Sequence, residues 1–290
     1  MSEGLSWRAA TMVAGLRASS RLLKGFPDYQ LVPTLQEYSY WVGLPVSEGE
    51  PFNGLELVPK PATIAAALYL KPSDIVHPHF TIKNNFQGLT AKFHYQKASD
   101  FAKAKKTDAF ESVLALLIYG LFLFPNMDNF IDLNEIKTFL TKNLVLTLLA
   151  DTYHPIHYRN SKGDGMIVCC APLLYKWFAS HLPKAVFAKA NTGKASWSQR
   201  IMPLTPADID WVHAGANSEG IIGSCGEFKN VPHIGTCGGI TYNWTLAMRQ
   251  YGYSMKGKPD SHSLSNEFYL NSKDHAKYEY AVCASLALCS

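Results

Sequence analysis

DAFESVLALLIYGLFLF, residues 108–124, is the stretch from which the predicted fold follows. Asp108 and Glu111 have the spacing of a helix N-cap and its capping-box partner, and Pro125 ends the run. A helix that is apolar on every side must be surrounded by other elements or by lipid. The apolar run is shorter than the about 20 residues that cross a bilayer. The stretch therefore predicts a buried central helix rather than a membrane span.

Patterns on either side of this helix predict a mainly α fold, a multi-helix globular domain of about eight to ten helices. Thr34 with Glu37 and Asp132 with Glu135 form two further capping boxes, each followed by apolar residues at helical spacing. These pairs predict two more helix starts.

The second half of the chain combines one long helical pattern with a small β element. Residues 144–158 have a helical pattern, although Pro155 is expected to kink or end that helix. Glycine alternates with β-branched residues in 220–242, which predicts two or three short strands around a turn at Lys229-Asn230.

Three segments with different compositions define the expected domain organisation. Residues 26–255 are expected to form one helical domain. Residues 1–25, which lack firm periodicity, and residues 256–290, in which no period persists, are both expected to be poorly ordered.

The overall charge argues against a broad nucleic-acid-binding face. The chain has 27 basic and 23 acidic residues, which gives a net charge of +4. Non-specific binding to nucleic acid relies on a dense cationic surface. Contact with nucleic acid is left open but is not supported by charge, and no membrane association is predicted.

Cysteine usage indicates a reducing compartment. Six cysteines in 290 residues are too few for a disulfide scaffold. Cys169 and Cys170 are adjacent in an apolar run, where buried free thiols are expected. These features favour the cytoplasm or the nucleus.

Asp151, His154 and His157 form the strongest candidate metal site. Their spacing of three places them near one helix face, and imidazole with carboxylate suits zinc or iron. Pro155 lies between the two histidines, however, and no HExxH pattern surrounds them. The pattern favours a polar helix end, so no metal or other cofactor is predicted.

Other candidate chemistry lacks a recognised signature. Cys225, His233 and Cys237 could converge across a hairpin, but no CxxC pair accompanies them. No GxSxG elbow or phosphate-binding glycine motif is present. No catalytic residue is therefore predicted.

Trp197 and Arg200 are the predicted partner-binding residues. Both lie in a polar segment, and tryptophan with arginine is a common combination at interaction hot spots. Packing of Trp197 onto its own domain is the alternative.

Several motifs occur in a fixed order along residues 26–270. They are Thr34-Leu35-Gln36-Glu37, Gly43-Leu44-Pro45-Val46, Leu173-Leu174-Tyr175-Lys176-Trp177, His181-Leu182-Pro183, the Trp211 segment and Arg249-Gln250-Tyr251-Gly252. As a set they resemble the plant mobile domain, a retrotransposon-associated domain that land-plant genomes also carry in host genes. Phe26–Pro33 and Asp108–Ser112 resemble more closely a legume group of that kind, known only as a domain of unknown function.

This resemblance implies a non-catalytic, transposon-derived domain that acts through protein partners. Relatives in the MAINTENANCE OF MERISTEMS group are nuclear and act in gene silencing and genome integrity, which implies a nuclear location here. Both ends of the chain depart from the look-alikes, which suggests a gene fragment or an altered reading frame. A metal-dependent enzyme and a translated relic without a selected role remain the alternatives.

Overall fold

The computed structural model describes residues 33–47, 52, 54, 56–76, 80–162, 168–186, 199–200, 203–210, 230–236, 238–243 and 267–269. Helices dominate these residues, which confirms the mainly α prediction. The α-helices are α1 (Leu35–Val42), α2 (Pro61–Ala67), α3 (Ala91–Lys103), α4 (Thr107–Ile118), α5 (Leu133–Thr141), α6 (Leu144–Lys162) and α7 (Ala171–Ser180). Short 3-10 helices span Pro72–Ile75, Lys184–Val186 and Pro206–Asp208.

Two small antiparallel sheets accompany the helices. The first contains β1 (Phe80–Lys83), β2 (Phe86–Thr90) and β3 (Phe130–Asp132), and the second contains β4 (Asn230–Ile234), β5 (Gly238–Asn243) and β6 (Glu267–Tyr269). The second sheet confirms the predicted β element. Its β6 strand lies within 256–290; residues 1–25 and the rest of that tail are outside the described residues.

The first sheet was not predicted from the sequence, and the turn predicted for the second sheet is misplaced. Asn84 and Asn85, with φ of 50° and 69°, connect β1 and β2 in the left-handed conformation of a tight hairpin turn. Asn230, predicted as a turn residue, begins β4 and pairs with Asn243 of β5. The prediction was wrong because the chain reverses after Ile234 instead.

The central stretch consists of an α-helix followed by one π-helical turn. α4 is followed by a π-helical turn at Tyr119–Leu123, in which the Phe124 N–H donates to the Tyr119 carbonyl oxygen at 2.8 Å. The predicted Asp108 N-cap was wrong: α4 begins at Thr107, and its cap residue Lys106 makes no side-chain capping bond. Asp108 instead lies in the first turn, where its charge favours the helix dipole.

This central segment joins two hydrophobic clusters. Val113, Leu116 and Leu117 belong to a cluster with α2, α3, α5 and the first sheet. Leu123 and Phe124 belong to a second cluster with α1, α6 and α7. Tyr119 packs against both clusters, so the helix is central as predicted.

The central helix is nevertheless not enclosed on every side. Leu114, Ile118 and Phe122 have exposed fractions of 39%, 43% and 51%. The expectation of complete burial was therefore wrong for one face. We call these three residues the α4 stripe.

The predicted capping boxes at the starts of α1 and α5 are present. Thr34 and Glu37 exchange the reciprocal bonds of such a box, and so do Asp132 and Glu135. α6 continues through Pro155 to Lys162, so the proline does not end that helix. No helix among the described residues is both long and apolar enough to span a bilayer.

Candidate functional site

Glu37 is the centre of a buried polar cluster that connects α1 with α7. Its Oε2 accepts hydrogen bonds from the Thr34 N–H at 2.9 Å, the Thr34 hydroxyl at 3.0 Å and the Trp177 indole N–H at 3.0 Å. Its Oε1 lies 2.9 Å from Nε2 of His181. The other ring nitrogen of His181, Nδ1, contacts the carbonyl oxygen of Asp210. We call Thr34, Glu37, Trp177 and His181 the Glu37 cluster.

Electrostatics favour the ionised form of Glu37 inside this cluster. Burial opposes ionisation of Glu37, but the His181 ring and the bonds from Thr34 and Trp177 outweigh it and lower the pKa of this carboxyl. Nε2 of His181 faces the Glu37 carboxylate and Nδ1 faces the Asp210 carbonyl oxygen, so both ring nitrogens lie beside an acceptor. Both side chains are sealed from solvent. The pair therefore joins the two helices rather than facing a substrate.

Two tyrosines next to this cluster fix α1 on α6. The Tyr38 hydroxyl donates to the Thr152 hydroxyl oxygen at 3.0 Å, and the Tyr153 hydroxyl donates to the Pro33 carbonyl oxygen. All four residues are buried. The Thr34–Glu37 motif is thus an anchoring element.

A second buried polar group, the carboxylate cluster, consists of Asp132, Glu135 and Asp151. The Thr236 hydroxyl donates to Oδ1 of Asp151 at 2.9 Å. The amide of Asn126 donates to the Thr236 hydroxyl oxygen at 2.9 Å and approaches Oε1 of Glu135 at 3.3 Å. These bonds connect α5, α6 and the segment between β4 and β5.

Burial disfavours the charged form of all three carboxyls. Burial raises the pKa of Asp151 to about 7, and the bonds from Thr236 only partly oppose this effect. Burial also raises the pKa values of Asp132 and Glu135, and the Asp132 charge adds to the rise at Glu135. Oδ2 of Asp151 has no hydrogen-bond partner among the described residues.

Glycine allows the β4–β5 connection to approach α6 this closely. A Cβ atom on Gly235 would lie 2.6 Å from the backbone nitrogen of Asp151. The neighbouring Thr236 carbonyl oxygen accepts a bond from the Asn134 side-chain amide at 2.9 Å. The second sheet is thereby fixed to the helical body through backbone contact.

The candidate metal residues are placed as follows. Asp151 is fully buried and faces Thr236, whereas His154 is partly exposed. The side chain of His157 is outside the described residues, as are Cys225 and Cys237. Among the residues that are described, no three His, Cys, Asp or Glu side chains come together in a metal-binding group.

Cys169 and Cys170 are free and buried, as the sequence predicts. Burial raises the pKa of both thiols, to about 11 for Cys170, and the nearby Asp151 charge adds to this rise. Neither thiol is activated as a nucleophile.

Of the two predicted partner-binding residues, only Arg200 is described; Trp197 lies outside the described residues. Nη1 of Arg200 donates to the Val186 carbonyl oxygen at 2.6 Å, and the residue is partly buried. This bond connects Arg200 to the end of the 3-10 helix at Lys184–Val186.

An apolar groove of about 630 Å³ lies between the segment after α1, the end of α2, one side of α4 and the α5–α6 junction. We call it the α2–α5 groove. Leu44, Phe139 and Leu140 contribute to its apolar lining. Its polar lining consists of Ser47, Tyr69, Ser112, Tyr119 and Lys142.

Two residues of this groove have a strained backbone. Tyr69 and Lys142 follow the ends of α2 and α5 with φ of 56° and 58°, at positions that glycine usually occupies. The left-handed conformation costs a side-chain-bearing residue roughly 1–2 kcal/mol. The groove was not predicted from the sequence. The available signal was the absence of glycine just after α2 and α5, where glycine usually ends a helix.

Comparison with known proteins gives a family but no activity. No curated protein and no solved structure matches the chain. A family model described as "Domain of unknown function (DUF7745)" matches residues 22–285, which is nearly the whole sequence. The chain therefore belongs to this family, and both polar clusters and the α2–α5 groove lie within the matched region.

Proposed function

We propose that the chain is a non-catalytic protein-interaction domain, derived from a transposable element and related to the plant mobile domain. The ordered motifs support this relationship. Polar residues from three of those motifs, Thr34, Glu37, Trp177 and His181, bind one another in the Glu37 cluster. Their mutual contacts favour a role in holding the scaffold together over a role in chemistry.

The observation that carries the proposal is the exposure of the α4 stripe. Its three large apolar side chains recur at intervals of four residues, so they lie along one face of the segment. Aligned apolar side chains at this spacing are how helical surfaces contact protein partners. The partner contact of this domain is therefore centred on the stripe.

The cellular role we propose is gene silencing or genome maintenance in the nucleus. The support is the resemblance to nuclear relatives, together with cysteine usage that suits a reducing compartment. Imaging of a fluorescently tagged chain in plant cells tests the location, and exclusion from the nucleus would overturn this part of the proposal.

Affinity capture from plant nuclear extract tests the interaction. We expect the wild-type chain to retain a reproducible set of proteins and Ile118→Glu to lose it, because a charge in the stripe would have to be desolvated on binding. Leu57→Glu is the matched control, since Leu57 is 90% exposed and lies outside the stripe. Retention of the same proteins by wild type and Ile118→Glu, or of none by either, would contradict the proposal.

A metal-dependent enzyme with Asp151, His154 and His157 as ligands is the second candidate. The observation in its favour is that Oδ2 of Asp151 is buried and has no hydrogen-bond partner among the described residues. Stoichiometric metal in the purified protein, lost in both His154→Ala and His157→Ala, would support it. Metal-free protein after purification without chelators would exclude it.

A further inference from the structure

The α2–α5 groove has the dimensions of a ligand site. Its volume of about 630 Å³ is within the range of roughly 300–1,000 Å³ that small-molecule sites occupy. Most of the lining is apolar, and a few hydroxyl groups are distributed over it. A ligand with an apolar body would therefore gain binding free energy by burying that apolar surface in the groove.

The charge of the lining restricts the occupant further. Lys142 is the charged residue of the described lining, and it is exposed at the edge of the groove. No ion pair within the described residues includes its ammonium group. Because an ammonium group beside an apolar surface attracts an anion, the complementary ligand has one negative group at the end of an apolar body.

The backbone conformation of two lining residues offers a way to change the groove without disturbing the fold. The described non-glycine residues with positive φ are Tyr69, Asn84, Asn85, Lys105, Asn129 and Lys142. Asparagine tolerates this conformation, so Tyr69, Lys105 and Lys142 are the unusual members. Two of these three line the groove. All three follow the end of a helix, Tyr69 after α2, Lys105 after α3 and Lys142 after α5, so helix termination explains their conformation and glycine suits each position.

We propose that the α2–α5 groove binds a small amphipathic acid, whose apolar chain lies against Leu44, Phe139 and Leu140 and whose carboxylate pairs with the Lys142 ammonium. The phenol ring of Tyr69, which is 58% exposed, covers part of the bound chain. This site is separate from the α4 stripe and does not depend on the proposed protein interaction.

The test compares three probes that share one alkyl chain. Decanoate, decanol and decyltrimethylammonium are titrated into the purified full-length chain and followed by calorimetry and by NMR. We expect one decanoate to bind per chain, roughly tenfold more tightly than decanol and more tightly still than the cation. Equal affinity for decanoate and decanol, or no binding of decanoate, would overturn the proposal.

Glycine variants separate binding from folding. Lys142→Gly removes the charge and relaxes the backbone, so we expect an unchanged or raised Tm together with loss of the preference for decanoate. Lys105→Gly is the matched control: Lys105 has φ of 55° but lies outside the described lining, so its replacement should leave decanoate affinity unchanged. Unchanged decanoate affinity in Lys142→Gly would contradict the assignment.

A third variant tests the location. Ala66 lines the groove and is exposed, so Ala66→Trp should fill the groove without disturbing the core and should abolish decanoate binding. Retained binding would place the probe elsewhere and overturn the proposal. A different result would also overturn the proposal: decanoate does not bind, and a helical peptide that carries leucine and glutamate shifts the NMR resonances of the groove residues. The groove would then be assigned to a protein segment.

Discussion

At the scale of single residues, the buried carboxyls Glu37 and Asp151 differ in the partners that face them. Glu37 has His181 and three hydrogen-bond contacts, and its pKa is lowered. Among the described residues, Thr236 is the hydrogen-bond partner of the Asp151 carboxyl, and the pKa of Asp151 is raised to about 7. Burial acts on both carboxyls in the same direction, so the partners decide which one ionises.

Glu37→Ala should destabilise the fold by about 3–5 kcal/mol, because it removes the acceptor that Thr34, Trp177 and His181 share in a buried site. Urea unfolding followed by circular dichroism measures this loss. Glu111→Ala is the control, since Glu111 is an exposed glutamate and its replacement should change stability by less than about 0.5 kcal/mol. Similar losses in the two variants would mean that the Glu37 cluster contributes little.

The raised pKa of Asp151 predicts stability that falls as pH rises. The folded state keeps the proton up to a pKa of about 7, whereas the unfolded chain releases it near the ordinary aspartate pKa of 3.8. The contribution of this group is complete below that lower value and is lost as pH rises through about 7. Its slope is at most about 1.4 kcal/mol per pH unit.

Asp151→Asn cannot titrate and should therefore flatten the stability profile between pH 5 and 7, as measured by unfolding at each pH. Asp132 and Glu135 have raised pKa values and contribute slopes of the same sign in both proteins. The difference between the variant and the wild type isolates Asp151. Parallel profiles would show that Asp151 is ionised in the fold.

At the scale of elements, the central helix has one face in the core and one face in solvent. Leu117 is 4% exposed and Leu114, three residues earlier, is 39% exposed. The same residue type therefore has two different roles within one helix. Position relative to neighbouring elements separates these roles.

Leu117→Ala should destabilise the protein by about 2–5 kcal/mol, through lost burial and the cavity that remains. Leu114→Ala should cost about 1 kcal/mol or less, because the side chain is already partly solvated. Thermal and urea unfolding of both variants give the comparison. A loss below roughly 1 kcal/mol for Leu117→Ala would exclude this helix from the core.

At the scale of the whole molecule, specific residues connect the two hydrophobic clusters and fix the second sheet to the helices. Tyr119 packs against both clusters, and Thr236 connects the second sheet to Asp151, Asn126 and Asn134. The close approach at Gly235 is one of the contacts between this sheet and α6.

Gly235→Ala should separate the β4–β5 connection from α6, because its Cβ would lie 2.6 Å from the Asp151 nitrogen. We expect a loss of about 1–3 kcal/mol. Hydrogen exchange should show the largest loss of protection in β4 and β5. Gly43→Ala, which meets no atom within 4 Å but has φ of 74°, should affect the end of α1 instead. Uniform loss of protection in both variants would contradict local docking.

The sequence by itself determined the mainly α class, the starts of α1 and α5 and the central position of residues 108–124. These features depend on residues three or four apart, such as Thr34 with Glu37 and Asp132 with Glu135, so they can be read from local spacing. The β1–β2 hairpin is equally local, but its turn uses two asparagines rather than the glycine that marks such turns most clearly.

Only the tertiary structure decided which polar groups meet and which apolar groups stay exposed. Glu37 and Trp177 are 140 positions apart, and Asp151 and Thr236 are 85 apart. No rule of sequence spacing predicts either contact, because each depends on how separate helices and strands pack. The same packing forms the α2–α5 groove and leaves the α4 stripe uncovered, since the neighbours of an apolar side chain are set by the arrangement of elements and not by its own hydrophobicity.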